Sequence, residues 1–139
     1  MSKTKWTLTD YSEDQDLSHI NAWLKEHKKA EVDPYDVPSL GYVANYAGRP
    51  IAAGFIRMVE GENAWFDSLV SNPRATSEFR HIALDMVIDG LLKQAKKRGI
   101  SRVIAFSLDE GTLKRALRHN FEKLPHTVIS LDLKNWPTH

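Results

Sequence analysis

The sequence predicts one α/β (α+β) domain with a mixed sheet, in the order β-α-β-β-β-α-β-α-β. Three observations carry this. Residues 41–70 hold three strand-prone runs separated by turn signals. Residues 77–98 carry apolar side chains at helical spacing. A short, continuous apolar run, Val103-Ile104-Ala105-Phe106, follows that helix, as expected of a strand covered on both faces.

Each element has a local reason. Trp6-Thr7-Leu8-Thr9 alternates and is β-prone, so it reads as the first strand. Asp14 or Asp16 is expected to cap a helix with Leu17, Ile20, Trp23 and Leu24 on one face. Pro34 and Pro38 make residues 31–40 a loop, either a plain connector or the border of a substrate site. Residues 41–46 and 51–58 flank Ala47-Gly48-Arg49-Pro50 and read as a hairpin. A second turn, Glu60-Gly61-Glu62-Asn63, leads into a strand over 64–70 and completes a meander.

The long helix runs from about Ser77 to Arg98, with Ser77 or Thr76 as cap and Gly99 as stop. It links its two neighbouring strands, so these are expected to be parallel. Asp109 or Thr112 caps a short helix with Leu113, Ala116 and Leu117. Thr127–Leu133 reads as a final strand and 134–139 as a tail. No repeat, low-complexity stretch or linker appears, so 1–139 is expected to be one domain with a core over about 6–133.

Composition narrows the chemistry. The 139 residues suffice for a core that buries roughly 68–70% of the unfolded surface. With no cysteine, disulfides, thiolate metal sites and cysteine nucleophiles are excluded. The six histidines lack zinc-site spacing, so no metal is expected. A net charge of +1 gives no general pull toward nucleic acid. No apolar run approaches a membrane span, and no signal-peptide pattern opens the chain. The expectation is a cytoplasmic protein without membrane contact. Two basic clusters, one at Lys93, Lys96, Lys97 and Arg98, the other at Lys114, Arg115, Arg118 and His119, suit either a solvated helix face or an acidic partner.

The feature with most bearing on function is the passage from Asp67-Ser68-Leu69-Val70-Ser71-Asn72-Pro73-Arg74 into the long helix. A strand ends at a polar turn where a helix begins, and the first turn of a helix offers unpaired N–H groups to an anion. No glycine lies between Gly61 and Gly90, so a glycine-cradled phosphate loop is absent there.

Four segments together resemble the GNAT superfamily of acyl-CoA-dependent N-acetyltransferases. They are Gly48–Phe55, Leu69-Val70-Ser71-Asn72-Pro73, Ala95–Ile100 and Leu113–Phe121. The resemblance implies a twisted, mostly antiparallel sheet of six to seven strands with helices on both faces. It implies acetyl-CoA as co-substrate and an amine of a small molecule or protein as acceptor. Backbone groups near Leu69 and Val70 would hold the pantetheine arm.

The superfamily's Gln/Arg-x-x-Gly-x-Gly/Ala loop falls either on Arg74–Phe79 or on Arg80–Asp85, and its glycines are met in neither register. Arg74, Ser77, Arg80 and His81 would then hold the pyrophosphate. The chain is similar in this to small virus-encoded proteins of the fold with an eroded loop. Asp67 matches a strand that carries a carboxylate in many members and is the candidate base, while the same residue also reads as a strand-end aspartate bonded to nearby N–H groups. The tyrosine acid of the family's last helix is replaced by Ala116. The alternative reading is a binding or structural protein that kept the fold and lost the cofactor. A protein partner and a dimer are compatible with both, and a nucleic-acid module is disfavoured by the charge.

Overall fold

The computed structural model describes residues 5–107 and 109–137. The elements are β1 (Trp6–Asp10), α1 (Glu13–Glu26), β2 (Leu40–Tyr46), β3 (Arg49–Met58), β4 (Asn63–Ser71), α2 (Ser77–Lys97), β5 (Arg102–Ile104) and α3 (Glu110–Arg118), then a 3-10 turn at Leu133–Asn135. The strands form one sheet in sequence order. All neighbours are antiparallel except β4 and β5, which are parallel as the linking helix requires.

The chain divides into two compact units, Met1–Phe106 and Ser107–His139. In the first, sheet pleating sends alternate side chains to opposite faces. Ala44, Ala52, Ile56 and Ala64 meet α2 through Ala83, Val87 and Leu91. Val43, Ala53, Phe55 and Val70 meet α1 through Ile20, Trp23 and Leu24. Helices therefore cover both faces. Gly90 on α2 lets Leu8 of β1 approach its backbone, so α2 sits close to the sheet.

Local chemistry sets the boundaries. Ser12, rather than Asp14 or Asp16, is the N-cap of α1, and Asp16 Oδ2 accepts from the Ser12 N–H at 2.8 Å. The acidic residues sit within the first turn, where the helix dipole favours them. Ala47 and Gly48 both have positive φ, at 50° and 80°, the conformation of a two-residue hairpin turn that follows strand twist. The 27–39 segment is a loop, anchored where Asn21 bonds both the N–H and the C=O of Val32 (2.7 and 3.2 Å). The α2 helix ends as expected, with Gly99 at φ 85° and the Ile100 N–H returning to Ala95 O at 3.1 Å.

In the second unit Asp109 caps α3, accepting from Gly111 N–H and Thr112 Oγ1. Asn120 takes the left-handed position after the helix (φ 71°), and the Phe121 N–H closes onto Ala116 O.

Among the described residues the sheet has five strands, not the expected six to seven, and Thr127–Leu133 is not a strand. Alternating apolar residues mark a segment able to pair, but a strand persists when its backbone groups find a ladder. Here 127–132 pair with no strand among the described residues, and Val128 and Ile129 are 67% and 90% exposed. The strand expected over 103–106 is shorter than its apolar run, ending at Ile104.

Candidate active site

The site begins at the sheet edge formed by β4. Past Trp65, β4 continues for six residues, whereas its ladder with β5 covers only Asn63–Trp65. Among the described residues, no strand pairs with that edge over 66–71. On the opposite side β4 stays laddered to β3, with a register shift between Ala53 and Phe55. Gly54 therefore faces both Ser68 and Leu69, and Ser68 sits at φ 63°. This is a β-bulge, which bends a strand and aims its edge away from a neighbour. Gly54 leaves room for this packing: an added Cβ would lie 2.9 Å from Leu69 Cδ1 and Val87 Cγ1, and one of them would have to shift.

The edge leads directly to the start of α2. Thr76 caps the helix, its Oγ1 accepting from the Phe79 N–H at 3.2 Å. Asn72 Oδ1 accepts from the Arg74 N–H, and Asn72 O from the Ala75 N–H. The N–H groups of Thr76, Ser77 and Glu78 have no acceptor among the described residues. No residue from Asn72 to Phe79 has positive φ, so this turn is built without the conformation that demands glycine. The Phe79 ring lies against Trp6 and Tyr46, at centroid distances of 5.3 and 4.5 Å, within the aromatic cluster on the sheet. Tyr42 and Tyr46 belong to that same packed face. Residues 80–85 lie inside α2, where backbone N–H groups are consumed by the helix, whereas 74–79 span the turn and the helix start.

The side chains expected to bind the cofactor differ in how far they are already engaged. Leu69 faces α2 and Val70 faces α1, both at the open edge. Ser77 is exposed in the first turn of α2. Arg80 follows it, and its side chain has no partner among the described residues although Nε is buried. Arg74 is engaged, with Nη2 2.7 Å from Glu26 Oε1. His81 Nε2 lies 3.5 Å from Asp85 Oδ2 one helical turn on, half-exposed.

Asp67 points to the α1 face just before the bulge. Its Oδ2 accepts from Arg57 Nε at 3.0 Å and its Oδ1 from Ser68 Oγ at 3.0 Å. The same guanidinium donates from Nη1 to Asp36 Oδ1 and from Nη2 to Asp36 O, each at 3.0 Å. Arg57 thus ties β3, β4 and the 27–39 loop together. Burial lowers its pKa, but hydrogen bonds to Asp67 and then Asp36 outweigh this, and the net shift is upward.

Sequence reasoning does not find Arg57, Asp36, Glu26 or His27. Arg57 is within its reach, since a turn at 60–63 places residue 57 across from 65 and diagonal to 67. Glu26 and Arg74 are 48 positions apart and share no pattern. Trp65, two residues before Asp67 on the same face, meets Phe106 edge-on at 5.7 Å. Among the described residues no group of three His, Asp or Glu is placed to hold a metal. No described helix is long and apolar enough to cross a membrane.

The chain matches no protein-family model and no curated protein sequence. It does match solved structures. A GNAT-family acetyltransferase from Streptococcus pneumoniae is 11% identical with a TM-score of 0.68, over 91% of this chain and 98% of that one. A predicted acetyltransferase with acetyl-CoA from Clostridium acetobutylicum is 12% identical with a TM-score of 0.66, over 95% and 99%. A Mycobacterium tuberculosis protein in complex with CoA is 16% identical with a TM-score of 0.71, over 89% and 76%. At identities this low the likeness shows the fold alone, and that fold is GNAT-like.

Proposed function

We propose that this protein is an N-acetyltransferase that moves an acetyl group from acetyl-CoA to an amine of a small molecule or protein. The observation that carries the reading is the continuous path from the unladdered β4 edge, past the bulge at Ser68, to the free N–H groups of Thr76, Ser77 and Glu78. An unpaired strand edge binds amides as a neighbouring strand would, and a helix N-terminus binds phosphate. Solved neighbours of the same fold hold acetyl-CoA or CoA.

Acetyl-CoA supplies an activated acetyl thioester. Backbone groups at Leu69 and Val70 hold the pantetheine amides. Ser77 and the first-turn N–H groups take the pyrophosphate, with charge from Arg80, Arg74 and His81. Arg80 fits this role best, because among the described residues its guanidinium faces no carboxylate, whereas Arg74 and His81 lie beside Glu26 and Asp85. The turn needs no left-handed residue, so lacking the glycines does not remove the site. On the α1 face, Asp67 accepts the proton of the attacking ammonium through water, and Trp65 and Phe106 border the approach. The amine nitrogen forms the amide bond as the carbon–sulfur bond breaks, and the leaving thiolate takes the second proton that this nitrogen sheds.

A second reading rests on Asp67 and Arg74, both already engaged by protein partners. It makes the chain a GNAT-fold binding protein without the cofactor. A thermal melt separates the two. Acetyl-CoA at ~100 times its dissociation constant adds about 2.7 kcal/mol, or roughly 9 °C at this chain length. A rise of that order with acetyl-CoA and CoA supports the enzyme and opens a screen of amines by thiol release. No rise at millimolar ligand overturns it in favour of the scaffold.

A further inference from the structure

We infer that Glu26 is a built-in competitor for the anion site, setting how tightly the protein holds a diphosphate-bearing ligand. The inference rests on the reading that such a ligand binds at the start of α2. Glu26 is the last residue of α1, and the end of this helix is fixed. The next residue, His27, bonds through Nε2 to Ser71 O at 3.0 Å, which seats the helix end on the last residue of β4. Since a carbonyl accepts, that nitrogen carries the proton.

From this seat Glu26 Oε1 reaches Arg74 Nη2 at 2.7 Å. Arg74 is placed in turn by its own N–H bond to Asn72 Oδ1, two residues before the Thr76 cap. The two arginines at the turn therefore differ in state. Arg80 has no side-chain partner among the described residues, whereas Arg74 is neutralised by a carboxylate. An arriving diphosphate must take the Arg74 fork from Glu26, and it meets a negative charge beside the helix N-terminus while doing so.

An exposed carboxylate–guanidinium pair is weak, so the exchange is reversible and tunes affinity without closing the site. The side chains are 72% and 39% exposed, which leaves room for Arg74 to swing from one anion to the other. Glu26 thus acts on affinity through Arg74 and has no part in the transfer step.

The test is calorimetric titration of the full chain with CoA, comparing wild type, Glu26→Gln, Arg74→Ala and the double variant. Glu26→Gln is expected to bind CoA about twofold to fivefold more tightly, the upper part of the range for releasing one partly screened ion pair. In the Arg74→Ala background the same change is expected to gain less than about twofold, because the competitor has lost its target. The Glu26→Gln gain should also shrink in about 0.5 M salt. Removing a negative charge from the C-terminal end of α1 does not oppose the helix dipole, so folding is retained. Binding by wild type with equal or weaker binding by Glu26→Gln overturns the inference and makes Glu26 an aligning partner of Arg74. Absence of CoA binding in all four proteins overturns the underlying site reading.

Discussion

Asp67→Asn separates two roles that the geometry allows for one carboxylate. The change keeps the shape and removes the charge that faces Arg57. The ion pair spans 3.0 Å, and its side chains are 28% and 33% exposed, so it lies between a surface pair and a buried one. A hydrogen bond to a charged group contributes about 1.5–3 kcal/mol when shielded, and an exposed ion pair about 0–1. Asparagine still offers one oxygen to Arg57 or Ser68, so a loss of about 1 kcal/mol is expected, or roughly 3 °C in Tm at this length. If Asp67 accepts the proton, turnover falls by ~10²–10⁴ at that small cost in stability. The assay is thiol release at saturating acetyl-CoA and amine, with urea unfolding run in parallel. Turnover within about twofold of wild type would refute the role of base and leave Asp67 as the anchor of Arg57. Arg57→Met serves as the companion variant. If it matches the turnover loss of Asp67→Asn and the double variant is no worse, the pair acts as one unit.

Other substitutions probe the frame around the site. Arg74→Ala with Arg80→Ala should weaken CoA binding at least about tenfold in a titration, with most of the loss from Arg80; unaltered affinity would place the ligand elsewhere. Gly54→Ala pushes a methyl to within 2.9 Å of Leu69 and Val87 tips, so it should cost about 1–3 kcal/mol and lower the melting midpoint. An unchanged melt would contradict the close packing at the bulge. The Tyr11 hydroxyl is buried without a partner among the described residues, so Tyr11→Phe should leave stability equal or raise it by about 1 kcal/mol in urea unfolding. Burial first, then Glu13 and Asp16, raise the Tyr11 pKa above 10.0. The stability this implies is complete below about pH 10 and declines above it as the unfolded chain ionises first. Melts from about pH 8 to 11 should therefore fall more steeply for wild type than for Tyr11→Phe.

Elements with a periodic signal and a good terminus are legible in the sequence. The 77–98 helix declares itself by Ala83, Val87, Leu91 and Ala95 on one face and by Gly99 at its end. The meander declares itself by turns at 47–48 and 60–63, and the parallel pairing by the helix linking β4 to β5. Thr127–Leu133 misleads because alternation reports the capacity to pair, while pairing depends on a ladder that lies elsewhere in the chain. Ser12 is hard to recognise as a cap because two aspartates follow it closely, and they serve the same helix end from inside the first turn.

At the site, the open edge and the free helix start follow from strand lengths, which a sequence indicates poorly. The missing glycines suggest a lost phosphate loop, yet the turn uses no left-handed residue and Phe79 is turned into the aromatic cluster. The bonds of Arg57 to Asp36 and of Glu26 to Arg74 join residues 21 and 48 positions apart, and no local pattern announces them.

The central claim is that the β4 edge and the start of α2 form the acetyl-CoA site. Amide hydrogen exchange with and without saturating acetyl-CoA tests it most directly, because unpaired strand edges and first-turn N–H groups exchange fast until a ligand accepts from them. The expected result is slowed exchange over 66–80, centred on the edge-facing amides of β4 and on those of Thr76, Ser77 and Glu78, with β1 unchanged. Unchanged exchange over 66–80 at millimolar acetyl-CoA would contradict it.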